Sequence, residues 1–439
     1  MKKLRILIPI AAVMMLLVCT GCEDGMTTEI RVTPDTIKDA IKEVKPGTTV
    51  YLEGGEYAPI EIGKECSGTK KEPVVFTAAE GEKVVFQGAS SVEGEDDKPT
   101  IHLVNVDNFT LDGVEVVGGT HGIYYESTAE QGETPLKNIT ISNCNVHDVR
   151  GVHGIAAYAK NDLAPVENLT MDGCTVYGCK LDSSESTVFN GNIDGFTICN
   201  NVIHDNNNIG IDMIGFEGKA LHTDAKFDNP YDVDYVRHGV CHNNVIYNIS
   251  AEGNPAYFYD GEYDLCADGI YVDGGQSIEI YDNFVFNCDI GLEVATEHSP
   301  DDNELFKVSE IKVHDNVVAG CQGWCGLCFG GYDKDLGYTE YCRFYNNTFV
   351  GNDTQIGIQR SRENMIYDNL LVGSDCTIEY NTDCREEDLN NNTIKNNTML
   401  GADDDASEVI DGFRSLIDGV GSGFVPADKY VKIYNSQMK

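Results

Sequence analysis

The stretch Ile280-Tyr-Asp-Asn-Phe-Val285 returns, lightly varied, along most of the chain. Upstream it reads Ile141-Ser-Asn-Cys-Asn-Val146, Met171-Asp-Gly-Cys-Thr-Val176, Ile198-Cys-Asn-Asn-Val-Ile203 and Val240-Cys-His-Asn-Asn-Val-Ile246. Downstream it reads Val313-His-Asp-Asn-Val-Val318, Phe344-Tyr-Asn-Asn-Thr-Phe349, Ile366-Tyr-Asp-Asn-Leu-Leu371 and Ile394-Lys-Asn-Asn-Thr-Met399. Aligned, the phrases place Cys144, Cys174, Asn201, Asn244, Asn283, Asn316, Asn347, Asn369 and Asn397 in one column. A repeat at fixed phase outweighs local propensity, because each unit is one structural rung that buries its apolar face only against its neighbours. Asn suits a sharp bend between short strands, where it tolerates the left-handed conformation. Its amide can also bond the amide one rung away and so satisfy polar groups that the bend buries.

The step from Asn347 to Asn369 is 22 residues, enough for a coil of three short strands, and the 43 from Asn201 to Asn244 is a coil plus loops. These columns resemble the pectate-lyase-like superfold, which implies an all-β, right-handed parallel β-helix over roughly residues 45–400. A second column runs Gly122-Ile-Tyr, Gly154-Ile-Ala, Gly210-Ile-Asp, Gly269-Ile-Tyr, Gly291-Leu-Glu, Gly326-Leu-Cys and Gly357-Ile-Gln. Two-residue alternation sends Ile123, Ile155, Ile211, Ile270, Leu292, Leu327 and Ile358 inward. It turns Tyr124, Ala156, Asp212, Tyr271, Glu293, Cys328 and Gln359 outward as a stripe.

The ends complete the layout. Lys2, Lys3 and Arg5 precede an apolar run over residues 6–18, too short to span a bilayer comfortably. Thr20-Gly21-Cys22 then resembles a bacterial lipobox, which implies that residues 1–21 are a signal peptide and Cys22 carries lipid; Cys19 stands where the motif usually has leucine. The expected division is a linker over 22–30, the β-helix with its N-terminal cap over 31–400 and a C-terminal cap over 401–439. Thr33-Pro34-Asp35 starts a helix over 37–44 that covers the first coil. The protein is expected outside the cytoplasm, tethered to the membrane by that anchor alone, as a monomer.

The chain holds 31 Lys and Arg against 72 Asp and Glu, a formal charge of -41 that becomes -44 without the signal peptide. Such a field repels nucleic acid, anionic lipid and polyanions, leaving neutral, cationic or metal-bridged partners. Sixteen cysteines in an exported chain ordinarily imply disulfides, but Cys144 and Cys174 lie inside the repeat, where a small hydrophobe fits. Cys321, Cys325, Cys328 and Cys342 do not have the spacing of zinc knuckles, and buried thiols or one or two disulfides are expected instead.

The longest insertions, residues 216–236, 250–267 and 297–309, flank the stripe near Asp212, Tyr271 and Glu293. They carry Tyr231, Tyr235, Tyr257, Phe258, Tyr259 and Tyr263, and aromatic faces beside carboxylates suit a sugar ring. The same aromatics would serve equally to pin the loops. Between the loops run Ala267-Asp-Gly-Ile-Tyr-Val-Asp-Gly-Gly275 and Ile290-Gly-Leu-Glu-Val-Ala-Thr-Glu-His298. If Gly269 stacks on Gly291, Tyr271 lies over Glu293 and Asp273 over Ala295, one coil spacing of about 4.8 Å apart. Asp273 then faces Glu297 or Glu293, and two carboxyls across a groove are what glycosidic cleavage needs. These phrases resemble the β-helical glycoside hydrolases. The β-xylosidase type implies Asp273 with Glu297; the lacto-N-biosidase type implies Asp273 with Asp268 or Asp264. Asp268 and Asp273 could equally end a strand. Asp212, Tyr271, Glu217, Arg237 and Tyr259 form the expected sugar-binding set, although an ion pair for Arg237 is an equal alternative. No cofactor or metal is expected on this reading. The alternatives are a calcium-dependent polysaccharide lyase, with Ca2+ bound weakly at Asp301-Asp302 or Asp403-Asp404-Asp405 and a base among Lys219, Arg237, Arg360 and Arg362, or a non-catalytic glycan-binding adhesin.

Overall fold

The computed structural model describes residues 28–89, 98–224, 226–373, 378–381, 384 and 391–401. The chain winds as a right-handed parallel β-helix whose strands stack into sheets of 13, 11 and 12 strands. The antiparallel hairpin Phe258–Tyr259 with Glu262–Tyr263 and a three-stranded sheet lie on its flank. One continuous apolar core runs from Val32 to Leu371. Strand Thr28–Val32 already pairs with Thr48–Leu52, so the helix begins inside the segment expected to be linker. The short helix Ile37–Ala40 and the 3-10 turn Ile41–Glu43 bury Ile37 and Ile41 over the first coil, as a cap should. The signal peptide with Cys22, and residues 402–439, lie outside the described residues.

The asparagine column is a continuous amide ladder. Each Nδ2 donates to the next Oδ1, from Asn201 through Asn244, Asn283, Asn316, Asn347 and Asn369 to Asn397, at 2.9–3.0 Å. The backbone reason differs from the expected one. The left-handed residue is the one before each ladder residue: Asn200, Asn243, Asp282, Asp315, Asn346, Asp368 and Asn396, with φ of 53–57°. The left-handed turn therefore belongs to the preceding residue, and the ladder residue itself is free to point its amide into the bend.

The glycine column has its own cause. A Cβ on Gly122, Gly154, Gly210 or Gly269 would stand 2.5–2.7 Å from the carbonyl oxygen of the residue stacked on it, and one on Gly291 would strike the Gly326 oxygen and the Val318 side chain. These glycines turn toward the core beside their inward Ile or Leu, so strict alternation breaks and the preceding residue swings to the outer face. Gly291→Ala should therefore cost about 3 kcal/mol or more, since a backbone carbonyl cannot repack as a side chain can. A urea midpoint within error of the wild type would count against that packing.

The predicted register holds through the middle coils. The stripe runs Tyr124, Ala156, Val188, Asp212, Tyr271, Glu293, Cys328 and Gly357 in paired register. Two corrections follow. A coil without the Gly-Ile phrase, Thr187–Gly191, lies between the strands of Ala156 and Asp212. In the coil of Thr354–Ile358, Ile356, not Ile358, stacks on Leu327, so Gln359 leaves the stripe and Gly357 takes its place against the Trp324 indole. All thirteen described cysteines are free thiols, and all but Cys266 are buried.

Candidate active site

The middle coils carry the acids. Strand Asp268–Asp273 stacks on Ile290–Ala295, with Tyr271 over Glu293 and Asp273 over Ala295 as expected, and Asp212 pairs with Tyr271 from the other side. Alternation from Ile270 would bury Asp268 in the core. The inward turn at Gly269 instead brings its carboxyl beside the Glu293 carboxyl, whose charge adds to the effect of burial on Asp268. Glu293 in turn stacks on Cys328 of the next coil. Asp273 Oδ1 accepts the Glu297 backbone N–H at 3.2 Å, and the Thr296 hydroxyl bonds the same carboxyl. Asp212, Asp268 and Asp273 are 2, 2 and 6% exposed, whereas Glu297 opens to solvent.

One acid escaped sequence reasoning, and one loop aromatic was singled out wrongly among several. Glu185 sits two residues before the inward Thr187 in the coil without the Gly-Ile phrase, and its carboxyl lies in the fields of Asp212, Glu217 and Glu297. Alternation sends it inward and no repeat phrase marks its coil, so only the stacking finds it. Tyr257, rather than Tyr259, reaches the acids: its hydroxyl accepts the Asn208 amide at 3.0 Å and it lies within the fields of Glu185 and Glu297. Tyr259 is 60% exposed at the hairpin, its hydroxyl on the Ala256 carbonyl.

The walls are pinned by buried acids with structural roles. Asp289 Oδ2 accepts the N–H groups of Ala251 and Ala267, clamping both ends of the 250–267 loop. Asp234 accepts those of Gly218 and Ala220 and shapes the turn that presents Glu217 and Lys219. Loops 216–236 and 297–309 are joined through Phe306, which meets Phe216, Tyr231 and His298, and through the Asn229–Asn303 amide pair. For Tyr231 and Tyr235 the loop-pinning alternative therefore describes the contacts. For Arg237 the ion-pair alternative describes the contacts. Its guanidinium bonds Asp194, Asn192 and the carbonyls of Val233 and Tyr235, a structural pairing away from the acids.

Burial dominates the electrostatics. It pushes Glu293 up to about 7 and Glu185 up to about 8, the latter helped by the charges of Glu217 and Glu297. Asp212, Asp268 and Asp273 are held well above the ordinary carboxyl range by burial first and by neighbouring acids second, and Glu297 is raised for the same reasons. Unfolded carboxyls titrate near about 4, so between roughly pH 4 and 8 the folded chain holds more protons than the unfolded chain. By linkage this contribution to stability falls as pH rises through that window. The urea midpoint should thus drop from pH 5 to pH 9, and Glu185→Gln should flatten the drop. A midpoint that rises over that interval would contradict the buried acids.

Chemically the groove offers protonated acids beside ionisable partners, with tyrosine faces at Tyr158, Tyr257, Tyr271 and the half-exposed Tyr332. For calcium, as the lyase alternative implies, the fit is poor. Among the described residues no three His, Cys, Asp or Glu side chains come together as ligands of one ion. Asp403-Asp404-Asp405 lies outside the described residues.

Similarity to known proteins follows the fold. The sequence profile of chondroitinase B matches residues 32–108, and that of the periplasmic copper-binding protein NosD matches residues 228–435. The uncharacterized protein YwoF of Bacillus subtilis is 33% identical over 381 residues, covering 82% of this chain and 75% of its own. Pectate lyase PEL9 of Emericella nidulans is 28% identical over 195 residues, 39% of this chain and 44% of its own length. Among solved structures, a GH136 lacto-N-biosidase from Eubacterium ramulus superposes with a TM-score of 0.55 at 12% identity, covering 85% of this chain and 68% of that one, a likeness of fold.

Proposed function

The chain belongs to the family of the Bacillus subtilis protein YwoF, and we propose that it is an extracytoplasmic carbohydrate-active enzyme, a glycoside hydrolase that works through carboxyls on adjacent coils. One observation carries this reading: buried carboxyls, raised above their ordinary range by burial, stand beside carboxyl partners on adjacent coils. Glycosidic cleavage requires that combination, an acid for the leaving oxygen and a carboxylate for the anomeric centre.

Asp273 and Glu297 are the working pair. In this assignment the Glu297 N–H, which Asp273 Oδ1 accepts at 3.2 Å, favours the ionised form of Asp273 against burial, and the solvent-facing Glu297 serves as the acid. Glu297 donates it to the leaving oxygen as the glycosidic C–O bond breaks. Asp273 attacks the anomeric carbon or takes a proton from the water that does. Asp268 and Glu293 lie side by side next to Tyr271 on the two stacked strands. The substrate is a glycan without excess negative charge, in keeping with a chain of -41. Export and lipidation at Cys22 supply the location, and similarity to a family named for a periplasmic protein supports it.

A lyase is the second reading, favoured by the similarity to pectate lyase PEL9 and by Lys219 among the acids. A reducing-end assay on neutral and uronate glycans, with and without chelator, separates the two. Chelator-resistant release from a neutral glycan is expected. Products absorbing in the ultraviolet as unsaturated uronates, or activity abolished by chelator, would establish the lyase.

A further inference from the structure

We propose that Glu185, Asp212 and Glu217 form a subsite for a primary ammonium group, so that the glycan carries an unacetylated amino sugar beside the bond that is cut. The substrate class rests on the hydrolase reading; the ammonium subsite does not.

Cleavage uses two carboxyls, yet three more stand beside Asp273 and Glu297 on the neighbouring coils. Asp212 is the informative one. It lies in the outward stripe between Val188 and Tyr271, is 2% exposed, and its Oδ1 has no hydrogen-bond partner. Its electrostatic neighbours are Glu185, Asp273, Glu217 and Glu297, so the orphaned oxygen belongs to the groove and not to the core. A buried oxygen of this kind costs free energy until a donor reaches it.

The same place already accommodates one ammonium. Lys219 Nζ stands 3.4 Å from Glu217 Oε2 and 5.5 Å from the Tyr158 ring centre, the carboxylate-and-aromatic setting that amines favour. Asn190 orients Glu217 by donating to its Oε2 at 2.7 Å. The other basic groups nearby leave the acids in excess: Lys160 is held by Glu126 at 2.6 Å, and His153 lies 3.4 Å from Glu185. These acids are not gathered tightly enough to ligate a metal ion. An ammonium asks less of them, since its donors are satisfied singly by oxygens spread around it. An N-acetyl group brings no charge and one N–H, and a uronate brings the wrong charge.

The test compares binding of glucosamine, galactosamine and mannosamine with their N-acetyl and parent-hexose forms by ligand-observed NMR on the soluble full-length domain. At least one amine should bind about tenfold more tightly than its neutral counterparts. That ratio should fall below about threefold in Asp212→Asn and in the solvent-facing Glu217→Gln, which carries the test if the buried variant fails to fold. Amines that bind no better than their N-acetyl forms would overturn the subsite, whether or not any glycan is cut. Equal binding of a lysine amide would overturn the amino-sugar assignment. Preferential amine binding without reducing ends released from any amino glycan would uphold the subsite and overturn the hydrolase reading.

Discussion

Asp273→Asn is expected to lower kcat by about 10³–10⁴-fold on every glycan substrate, with the fold retained. The asparagine fits the same space and still meets the Glu297 N–H, but it neither attacks carbon nor accepts a proton. Glu297→Gln should cost about 10²–10⁴-fold on natural linkages and far less on an aryl glycoside whose leaving group needs no proton. The pH profiles should diverge as well. Activity in the wild type falls at low pH as the base is protonated and at high pH as the acid loses its proton, giving a bell. On the aryl substrate, Glu297→Gln should lose the alkaline limb and keep the acid one. The outcome that defeats this assignment is an Asp273→Asn enzyme with full activity. Asp268 and Glu293, neighbouring carboxyls on the same two coils, would then be the pair to examine.

The second large effect concerns stability. Asn283→Leu should cost about 3–5 kcal/mol, because it removes four bonds from the middle of a dry column. Asn283 Nδ2 donates to the Cys241 carbonyl and to Asn316 Oδ1, and its Oδ1 accepts both the backbone N–H and the amide of Asn244. Leucine matches the volume and none of the bonding, leaving the Asn244 N–H and the Cys241 carbonyl without those partners. Since each coil is stabilised by its neighbours, the break should also separate unfolding of the two halves. Asn145→Leu, on an outer strand position, provides the control and should stay within about 0.5 kcal/mol of the wild type. Equal urea midpoints for the two variants would show that the ladder contributes no more than a surface asparagine.

The repeat phrase by itself determined the fold, the ladder and the stacking of Tyr271 on Glu293, for a physical reason. Every coil must meet the same two neighbours with the same hydrogen bonds, so one geometric demand is written into the sequence many times over. The glycine column was equally visible, since each glycine answers an identical close approach of backbone. The site was legible only where it rode on that periodicity. Asp212, Asp273 and Glu293 were readable because they occupy stripe phases, and Glu297 because it follows one closely. Glu185 was hidden in a coil that lacks the phrase, and Tyr257 was one aromatic among several in its loop. Arg237 looked like a ligand for sugar until Asp194, forty-three residues away along the chain, proved to hold it. The outward turn of Asp268 depended on Gly269 facing the core, which alternation cannot express. Protonation of the acids was also decided by the tertiary structure alone. It depends on how much water the loops exclude and on which carboxyls the winding brings together, and neither is a property of any short stretch of sequence.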